Sequence, residues 1–173
     1  ANRDTVYVVP KYNRKQVSVA LNGVSRGKFW VSQFSRIILD GKGGDDWLEI
    51  NPSVLKDAQL IGGVGNDTIY FDANDASVDG GPGMDTLQVR DGTADLTEVA
   101  AQFSRFEAIN MDGNGSNTLI LDPASIAQVA NGNTSDVSIN ADGQPLLITA
   151  KDAVKCRMLA PPNTWVSPWI GST

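Results

Sequence analysis

The chain has 173 residues, a net charge of −6, one cysteine and no histidine. This length suits one domain, the lone Cys156 excludes an internal disulfide, and the missing histidines remove the usual general base and the commonest zinc or copper ligand. We expect no membrane span, signal peptide or nucleic-acid partner, and both a secreted mature form and export without a cleaved signal remain compatible with the sequence.

The first segment, residues 1–39, is typical of short antiparallel strands. Gln16–Leu21 alternates apolar and polar residues, and Asn22-Gly23 after it is a strong hairpin signal. Lys28–Val31 is the predicted return strand, and Thr5–Val9 is predicted to pair on the other side, with Pro10 ending it. We expect an antiparallel cap, because open solenoid ends expose strand edges. Its basic residues favour a solvated sheet face over a contact with an acidic partner.

A glycine-rich phrase occurs twice between Leu60 and Val89. Gly62–Ile69 (GGVGNDTI) and Gly80–Leu87 (GGPGMDTL) both fit glycine-glycine-x-glycine-x-aspartate-x-aliphatic, the signature of a calcium-binding parallel β-roll. The two aspartates are 18 residues apart, or two nine-residue units, and two units make one coil. The spacing therefore predicts that the two glycine turns lie directly above one another.

A degenerate copy precedes these two. Asp40–Leu48 fits the motif with Lys42 in place of the second glycine, and its aspartate, Asp46, lies 21 residues before the next motif aspartate. We expect the three extra residues in the glycine-free stretch Asn51–Ala58. Strands of successive coils lie about 4.8 Å apart. The aliphatic residues of the three copies should therefore point inward and stack: Leu48, Ile69 and Leu87.

The pattern loosens after Arg90. Asp95–Phe103 is either a short helical turn or a strand edge. Asp112–Leu119 fits the motif again, with Asn117 in place of the aspartate, and Asn131–Val137 is a weaker copy. We expect the solenoid to continue here with eroded calcium sites. A short helical insertion is predicted from Asp122 to Ala130, and the last strands are predicted at Val137–Ile139 and Leu146–Ile148.

These elements predict an all-β fold, a right-handed parallel β-roll or β-solenoid with an N-terminal antiparallel strand cap. The predicted divisions are an N-terminal β cap at 1–39, a calcium-binding roll at 40–150, and a C-terminal cap or extension at 151–173. The last segment has no repeat.

The glycine turns have the donor chemistry that calcium requires. Ca²⁺ takes six to eight oxygen ligands; glycine turns supply carbonyls, and the aspartate supplies charge. One turn has too few ligands, so we expect the ion between two stacked turns, with folding coupled to its binding. The alternative is a set of ion-free β-turns. The predicted metal ligands are Gly41, Gly44, Asp46, Gly62, Gly63, Gly65, Asp67, Gly80, Gly81, Gly83 and Asp85.

At these residues the chain resembles the RTX, or hemolysin-type, calcium-binding repeat proteins. Gly62–Leu87 matches closely, Asp40–Leu48 matches except at Lys42, and Phe106–Leu121 resembles a repeat found beside such rolls in bacterial adhesin-like proteins. The resemblance implies a secreted or cell-surface bacterial protein whose roll folds in external calcium. The family includes toxins, lipases, proteases, epimerases and adhesins, so it does not fix an activity.

Three functions remain open. The absence of histidine favours a noncatalytic calcium-dependent module that assists folding or adheres to carbohydrate or a cell surface. The alternative is a glycan-acting hydrolase or lyase, because such enzymes can work with two carboxylates. Glu49 and Glu107 are its candidate catalytic residues, with Trp30, Trp47 and Tyr70 as candidate sugar-stacking rings. The third is a structural protein that self-associates through the exposed end of the solenoid.

Overall fold

The structure is a computed structural model of the chain, and it describes residues 2–71, 75–89, 93–99, 102–111, 117–121, 125, 138–140 and 146–150. Its N-terminal part contains a 3₁₀ helix at Val31–Gln33 and the strands β1 (Thr5–Lys11), β2 (Gln16–Leu21), β3 (Val24–Trp30), β4 (Arg36–Asp40), β5 (Trp47–Ile50), β6 (Asp57–Ile61), β7 (Thr68–Phe71), β8 (Asp75–Asp79) and β9 (Thr86–Val89). Its later part contains the short helix α1 (Leu96–Val99) and the strands β10 (Thr93–Asp95), β11 (Phe103–Ser104), β12 (Ala108–Met111), β13 (Asn117–Leu121), β14 (Ser138–Asn140) and β15 (Leu146–Ala150).

The described strands form three sheets that wind as a β-solenoid. The first sheet has the order β14-β12-β9-β7-β5-β1-β2-β3, the second β11-β8-β6-β4 and the third β10-β13-β15. In the first sheet, pairing is parallel except between β1 and β2 and between β2 and β3. Each of the glycine turns carries the chain from the second sheet to the first. The predicted all-β solenoid with antiparallel cap strands is therefore confirmed. Within the described residues, no helix is long and apolar enough to cross a membrane.

The cap is built around the predicted hairpin. β2 and β3 meet at Asn22 and Gly23, which have φ of 53° and 75°, the left-handed pair that a tight hairpin turn needs. β1 pairs with β2 on one side and, in parallel, with β5 on the other. Pro10 was expected to end β1, but the strand continues to Lys11. The pairing with β5 stops at Val8, so the missing Pro10 N–H is not needed in that ladder.

A row of aliphatic side chains forms the core of the coils, as the motif predicts. Leu48, Ile69 and Leu87 are direct neighbours on the paired strands β5, β7 and β9, and each is 0 % exposed. Burying each such side chain contributes about 1.5–3 kcal/mol. Facing them from the second sheet is an equivalent buried row: Leu39, Leu60, Val78 and Phe103.

The extra length of the first coil also lies where the sequence indicated. Leu48 and Ile69 are equivalent on β5 and β7, and Gln59 and Ser77 are equivalent on β6 and β8. Ten residues lie between Leu48 and Gln59, but only seven lie between Ile69 and Ser77. The three additional residues therefore lie in the predicted stretch Asn51–Ala58.

Beyond β9 the coil gains the third sheet. β10 follows β9 and β13 follows β12 in the chain, and β10 and β13 pair in parallel with each other. In the described residues of the stretch Asp95–Phe103, both alternatives occur, because Asp95 ends β10 and the chain runs directly into α1. The predicted last strands appear as β14 and β15. The predicted weak copy at 131–137 and the tail at 151–173 lie outside the described residues, as does the predicted helical insertion except for Ser125, which is helical and buried.

One motif assignment was wrong. Asn117 was expected to take the aspartate position of a later glycine turn. Instead Ala108 pairs with Thr86, so the residue next to Asp85 in the stack is Glu107, and Asn117 begins β13 in the third sheet. Each glycine turn precedes its strand of the first sheet, so a turn stacked on Gly80–Asp85 would precede β12. Residues 112–116, which lie outside the described residues, follow β12 in the chain instead.

Candidate metal centre

At their glycine positions, the three glycine turns stack backbone on backbone. A Cβ on Gly63 would collide with the carbonyl oxygen of Lys42, and a Cβ on Gly81 would collide with that of Gly63. Gly63 and Gly81 also have φ of 106° and 103°, a region that L side chains rarely adopt. Lys42 holds the same motif position at φ 70° and forms an ion pair with Asp40. The degenerate first copy therefore keeps a positive φ at this position, as the other two do.

The motif aspartates form a continuous hydrogen-bonded column, which we call the carboxylate ladder. The Asp46 N–H donates to Asp67 Oδ1 at 2.7 Å, and the Asp67 N–H donates to Asp85 Oδ1 at 2.8 Å. The ladder extends beyond the motif at both ends. The Asp4 N–H donates to Asp46 Oδ1 at 2.7 Å, and the Asp85 N–H donates to Glu107 Oε2 at 2.6 Å.

The N-terminal end of the ladder is closed by the cap hairpin. Asn22 Nδ2 donates to Asp4 Oδ1 at 2.8 Å, so an amide takes the role that a backbone N–H plays lower in the ladder. Asn22 Oδ1 also accepts the Thr5 N–H at 2.7 Å. The predicted hairpin turn thus has a second role, since its first residue, Asn22, donates a hydrogen bond to the first carboxylate of the ladder, Asp4.

The ladder leaves one oxygen of each motif carboxylate unsatisfied. Asp46, Asp67 and Asp85 are 1 %, 1 % and 0 % exposed. Their Oδ2 atoms accept no hydrogen bond, although each is buried. An unsatisfied buried acceptor costs about 1–3 kcal/mol, and a charged one costs more. Three such atoms in one column need either protons or a cation.

Each orphaned oxygen lies beside a main-chain carbonyl of the next level, and we call each such pair a cradle. Asp46 Oδ2 and the Gly62 carbonyl oxygen crowd the point at which a Gly41 Cβ would stand. Asp67 Oδ2 and the Gly80 oxygen do the same at Gly62, and this repetition defines the first and second cradles. The carboxylate oxygen of each pair has no donor, whereas the Gly80 carbonyl oxygen also accepts the Gly63 N–H at 3.1 Å. Such pairs of acceptors form the kind of oxygen-only environment that a hard cation prefers.

Burial raises the pKa values of the motif carboxyl groups. Loss of solvent is the largest cause for Asp46 and Asp67, followed among the raising effects by repulsion from neighbouring carboxylates. The same effects raise the pKa of Asp85 to about 7, with repulsion from Asp67, Glu107 and Asp79. Without a cation, the column therefore resists full ionisation at neutral pH.

The predicted ligands thus come together as stacked turns, with one carboxylate per level rather than a cluster. Within the described part of the chain, no group of three Asp, Glu or Cys side chains is placed to hold a metal ion. A bound cation would depend on main-chain carbonyls to complete its shell, as the motif requires. Calcium accepts such carbonyl ligands readily. The residues present fit calcium in donor type, because every available atom is oxygen.

A second ladder runs along the outside of the turns and was not anticipated. Asp45 Oδ1 accepts the Asn66 N–H at 2.8 Å, and Asn66 Oδ1 accepts the Met84 N–H at 2.9 Å. These three residues share the fifth motif position, which the motif leaves unspecified. The Asp45 and Asn66 side chains therefore link adjacent turns through the backbone of the following level.

Asp4 is a ladder residue that the motif search missed. Its signal lies in the sequence, because Asn2-Arg3-Asp4-Thr5-Val6 resembles Gly65-Asn66-Asp67-Thr68-Ile69. The structure pairs Thr5 with Trp47 and Val6 with Leu48, which places Asp4 level with Asp46. The missing glycines hid this copy.

The two candidate catalytic carboxylates do not converge. Glu49 is on β5, and Glu107 precedes β12, so three strand spacings, or about 14 Å, separate their strands. Glycoside hydrolases place the two groups about 5–9.5 Å apart. Glu107 belongs to the carboxylate ladder, and Glu49 Oε2 lies 3.5 Å from the Trp47 indole nitrogen. This geometry gives no support to a two-carboxylate mechanism.

The candidate sugar-stacking rings are also dispersed. Tyr70 is 6 % exposed and packs against Trp47, with ring centroids 5.0 Å apart. Trp30 is 50 % exposed but lies on β3, the edge strand of the cap. Glu49 and Tyr70 alternate with the inward row on β5 and β7, yet both are buried.

The chain matches no protein-family model, and comparisons with curated proteins and with solved structures gave no match.

Proposed function

We propose that this chain is a calcium-binding β-solenoid module of a secreted or cell-surface bacterial protein, of the RTX (hemolysin-type) kind, and that its folding depends on calcium. The observation that carries the proposal is the set of three buried Oδ2 atoms, on Asp46, Asp67 and Asp85, that lack any donor. Two of them face carbonyls of glycines that the motif specifies. A bound divalent cation satisfies both acceptors and removes the repulsion between levels.

The donor set favours calcium over other biological cations. Zinc and copper select nitrogen and sulfur ligands, whereas the cradles supply only carboxylate and carbonyl oxygens. Magnesium requires near-ideal octahedral geometry and keeps several waters. The carboxylates of the cradles are almost fully buried, so a cation that accepts many protein oxygens at flexible distances suits them better.

The proposed location follows from the same dependence. Extracellular calcium modules bind the ion at about 10⁻⁴–10⁻³ M. A chain whose turns repel one another without calcium stays poorly folded where the ion is scarce, and it folds where the ion is abundant. This coupling supports a role outside the cell, where the module assists the folding of an exported protein.

Adhesion to carbohydrate is the second part of the proposal. The cap exposes large rings, because Tyr12, Phe29 and Trp30 are 67 %, 45 % and 50 % exposed. Exposed aromatic residues mark interaction surfaces more often than scattered aliphatic ones do. A glycan array probed in calcium with the parent chain and with Trp30→Ala tests this role. Loss of glycan signal in a folded Trp30→Ala variant supports it, and equal signals, or none from the parent, contradict it.

The metal dependence is tested by removing the ion. Far-ultraviolet circular dichroism and thermal melting of the full chain are compared in calcium, in chelator, and in chelator with excess magnesium. We expect β structure and a cooperative melt in calcium only. Identical spectra and melting temperatures under the three conditions would contradict the proposal.

A further inference from the structure

The stack of glycine turns ends at a turn that is three residues shorter. Asp79 pairs with Ser104, and Thr86 pairs with Ala108, so the six residues Gly80–Asp85 lie over only Arg105–Glu107. Nothing in the motif predicts this level, because it contains no glycine. The register nevertheless places Arg105 next to Gly80 and Glu107 next to Asp85.

This short turn repeats the geometry of a cradle. The Arg105 carbonyl oxygen and Asp85 Oδ2 both crowd the point at which a Gly80 Cβ would stand, as the corresponding atoms do at Gly41 and Gly62. Arg105 has φ 59°, a left-handed conformation that is uncommon for arginine. Its guanidinium is engaged outside the turn, where Nε donates to Asp79 Oδ1 at 2.7 Å.

The electrostatic environment matches as well. Asp85 is 0 % exposed, and its Oδ2 accepts no hydrogen bond. Glu107 supplies the next carboxylate, since its Oε2 accepts the Asp85 N–H at 2.6 Å in the way that Asp85 Oδ1 accepts the Asp67 N–H. In the first and second cradles, the aspartate of the next level accepts the N–H of the cradle's own aspartate. Glu107 takes that position here, with glutamate in place of aspartate.

We propose that Asp85, the Arg105 carbonyl and Glu107 form a third calcium site, built from residues outside the repeat, and that it ends the column. This inference rests on the proposed calcium function. Pairs of motif turns alone predict two ions, between turns 41–46 and 62–67 and between turns 62–67 and 80–85. The proposal instead places three, one for each orphaned carboxylate oxygen.

Counting bound ions tests the third site. Native mass spectrometry and equilibrium dialysis with Ca²⁺ are applied to the full chain, to Glu107→Gln and to Asp57→Asn. The glutamine side chain can still accept the Asp85 N–H, so the ladder is preserved while its charge is lost. Asp57 is exposed at the start of β6, and its variant controls for the change in net charge. We expect three ions in the parent chain and in the control, and two in Glu107→Gln.

The outcomes separate the two proposals. Two ions in the parent chain would overturn the third site and leave the calcium function standing, whereas no bound ion would overturn both. Three ions of unchanged affinity in Glu107→Gln would also overturn the third site. If Glu107→Gln does not fold, the parent count still decides, and Arg105→Gly adds a second variant. Glycine keeps the carbonyl and suits φ 59°, so three ions are expected, and a fall to two would contradict the carbonyl's role.

Discussion

The glycine-turn coils, from β4 to β9, and the later coils, from β10 onward, solve the same packing problem in different ways. In the glycine-turn coils the glycine positions of adjacent turns contact each other through the backbone, and the carboxylate ladder contains buried aspartates. In the later coils the described turn Arg105–Glu107 is short and includes a fully buried phenylalanine, Phe106. On the proposed function, the first arrangement depends on a bound ion, whereas the second includes apolar contact.

The change between them occurs within one level. Asp85 still faces a carbonyl and a carboxylate, but the turn stacked on it contains Phe106 rather than another glycine. Phe103, in the strand just before this turn, packs edge-on against Phe71, with ring centroids 4.6 Å apart. The carboxylate ladder therefore ends at a turn that contains a buried aromatic side chain. Variants in each region can separate the two kinds of support.

The largest expected effect is in the later coils. Phe103→Ala removes a side chain that is 1 % exposed and should lower the free energy of unfolding by about 3–5 kcal/mol. The number of calcium ions bound at saturation should not change, because Phe103 supplies no ligand. Urea unfolding in calcium, combined with ion counting, checks both. Loss of ions from a folded Phe103→Ala protein would show that the two regions are not separate.

A glycine in the stack should be nearly as sensitive. In Gly65→Ala the new Cβ meets the Gly44 carbonyl at a φ of 139°, which should cost about 2–4 kcal/mol. Gly23→Ala is the matched control. Gly23 also has positive φ, 75°, but has open space around its Cβ position, so only about 1 kcal/mol should be lost. Equal losses of melting temperature in the two variants would contradict the close stacking of the turns.

Asp67→Asn should change stability in opposite directions with and without calcium. In chelator it removes a buried charge whose Oδ2 has no donor, while the new side chain can still accept the Asp46 N–H. We therefore expect more residual structure than in the parent chain. In calcium it weakens the two sites that Asp67 borders, and each ion present at about 100-fold its Kd contributes about 2.7 kcal/mol.

Melting curves of the parent chain and Asp67→Asn in chelator and in calcium measure this reversal. Asp57→Asn serves again as the charge control and should shift both curves only slightly. A variant that is destabilised equally under both conditions would indicate a purely structural aspartate.

The smallest predicted effect is a dependence on pH. The pKa of Asp85 rises from 3.8 to about 7 on folding, because of burial and nearby carboxylates. Folding without calcium is therefore coupled to the uptake of a proton between about pH 4 and 7. The stability that this proton provides is lost as the pH rises through 7. In chelator, the β signal should be stronger at pH 5.5 than at pH 8. In calcium the order should reverse, because the ion competes with protons for the same oxygens.

Much of the fold can be predicted from the sequence because the spacing of the repeats sets which residues of successive coils pair with each other. Once Asp67 and Asp85 are aligned, the inward row of Leu48, Ile69 and Leu87 and the extra residues of the first coil both follow. The residues that close the carboxylate ladder do not follow in this way. Asp4 lies in a copy without glycines, and Asn22 belongs to a hairpin whose amide contact depends on how the cap folds back.

The mistaken assignment of Asn117 has a similar physical cause. A motif search assumes that each coil keeps its length, but the coil after Asp85 loses three turn residues and gains a strand in a third sheet. Glu107 was assigned as a catalytic candidate because the motif did not account for it. Strand pairing, which a single sequence does not display, shows that it continues the ladder.

The most direct test of the calcium column is a crystal structure of the full chain grown in calcium, with anomalous scattering used to locate the ions. We predict a peak between Asp67 Oδ2 and the Gly80 carbonyl oxygen, with equivalent peaks at Asp46 and Asp85. Well-ordered turns with no anomalous peak, and with these carboxylate oxygens hydrogen-bonded to water or protonated, would contradict it.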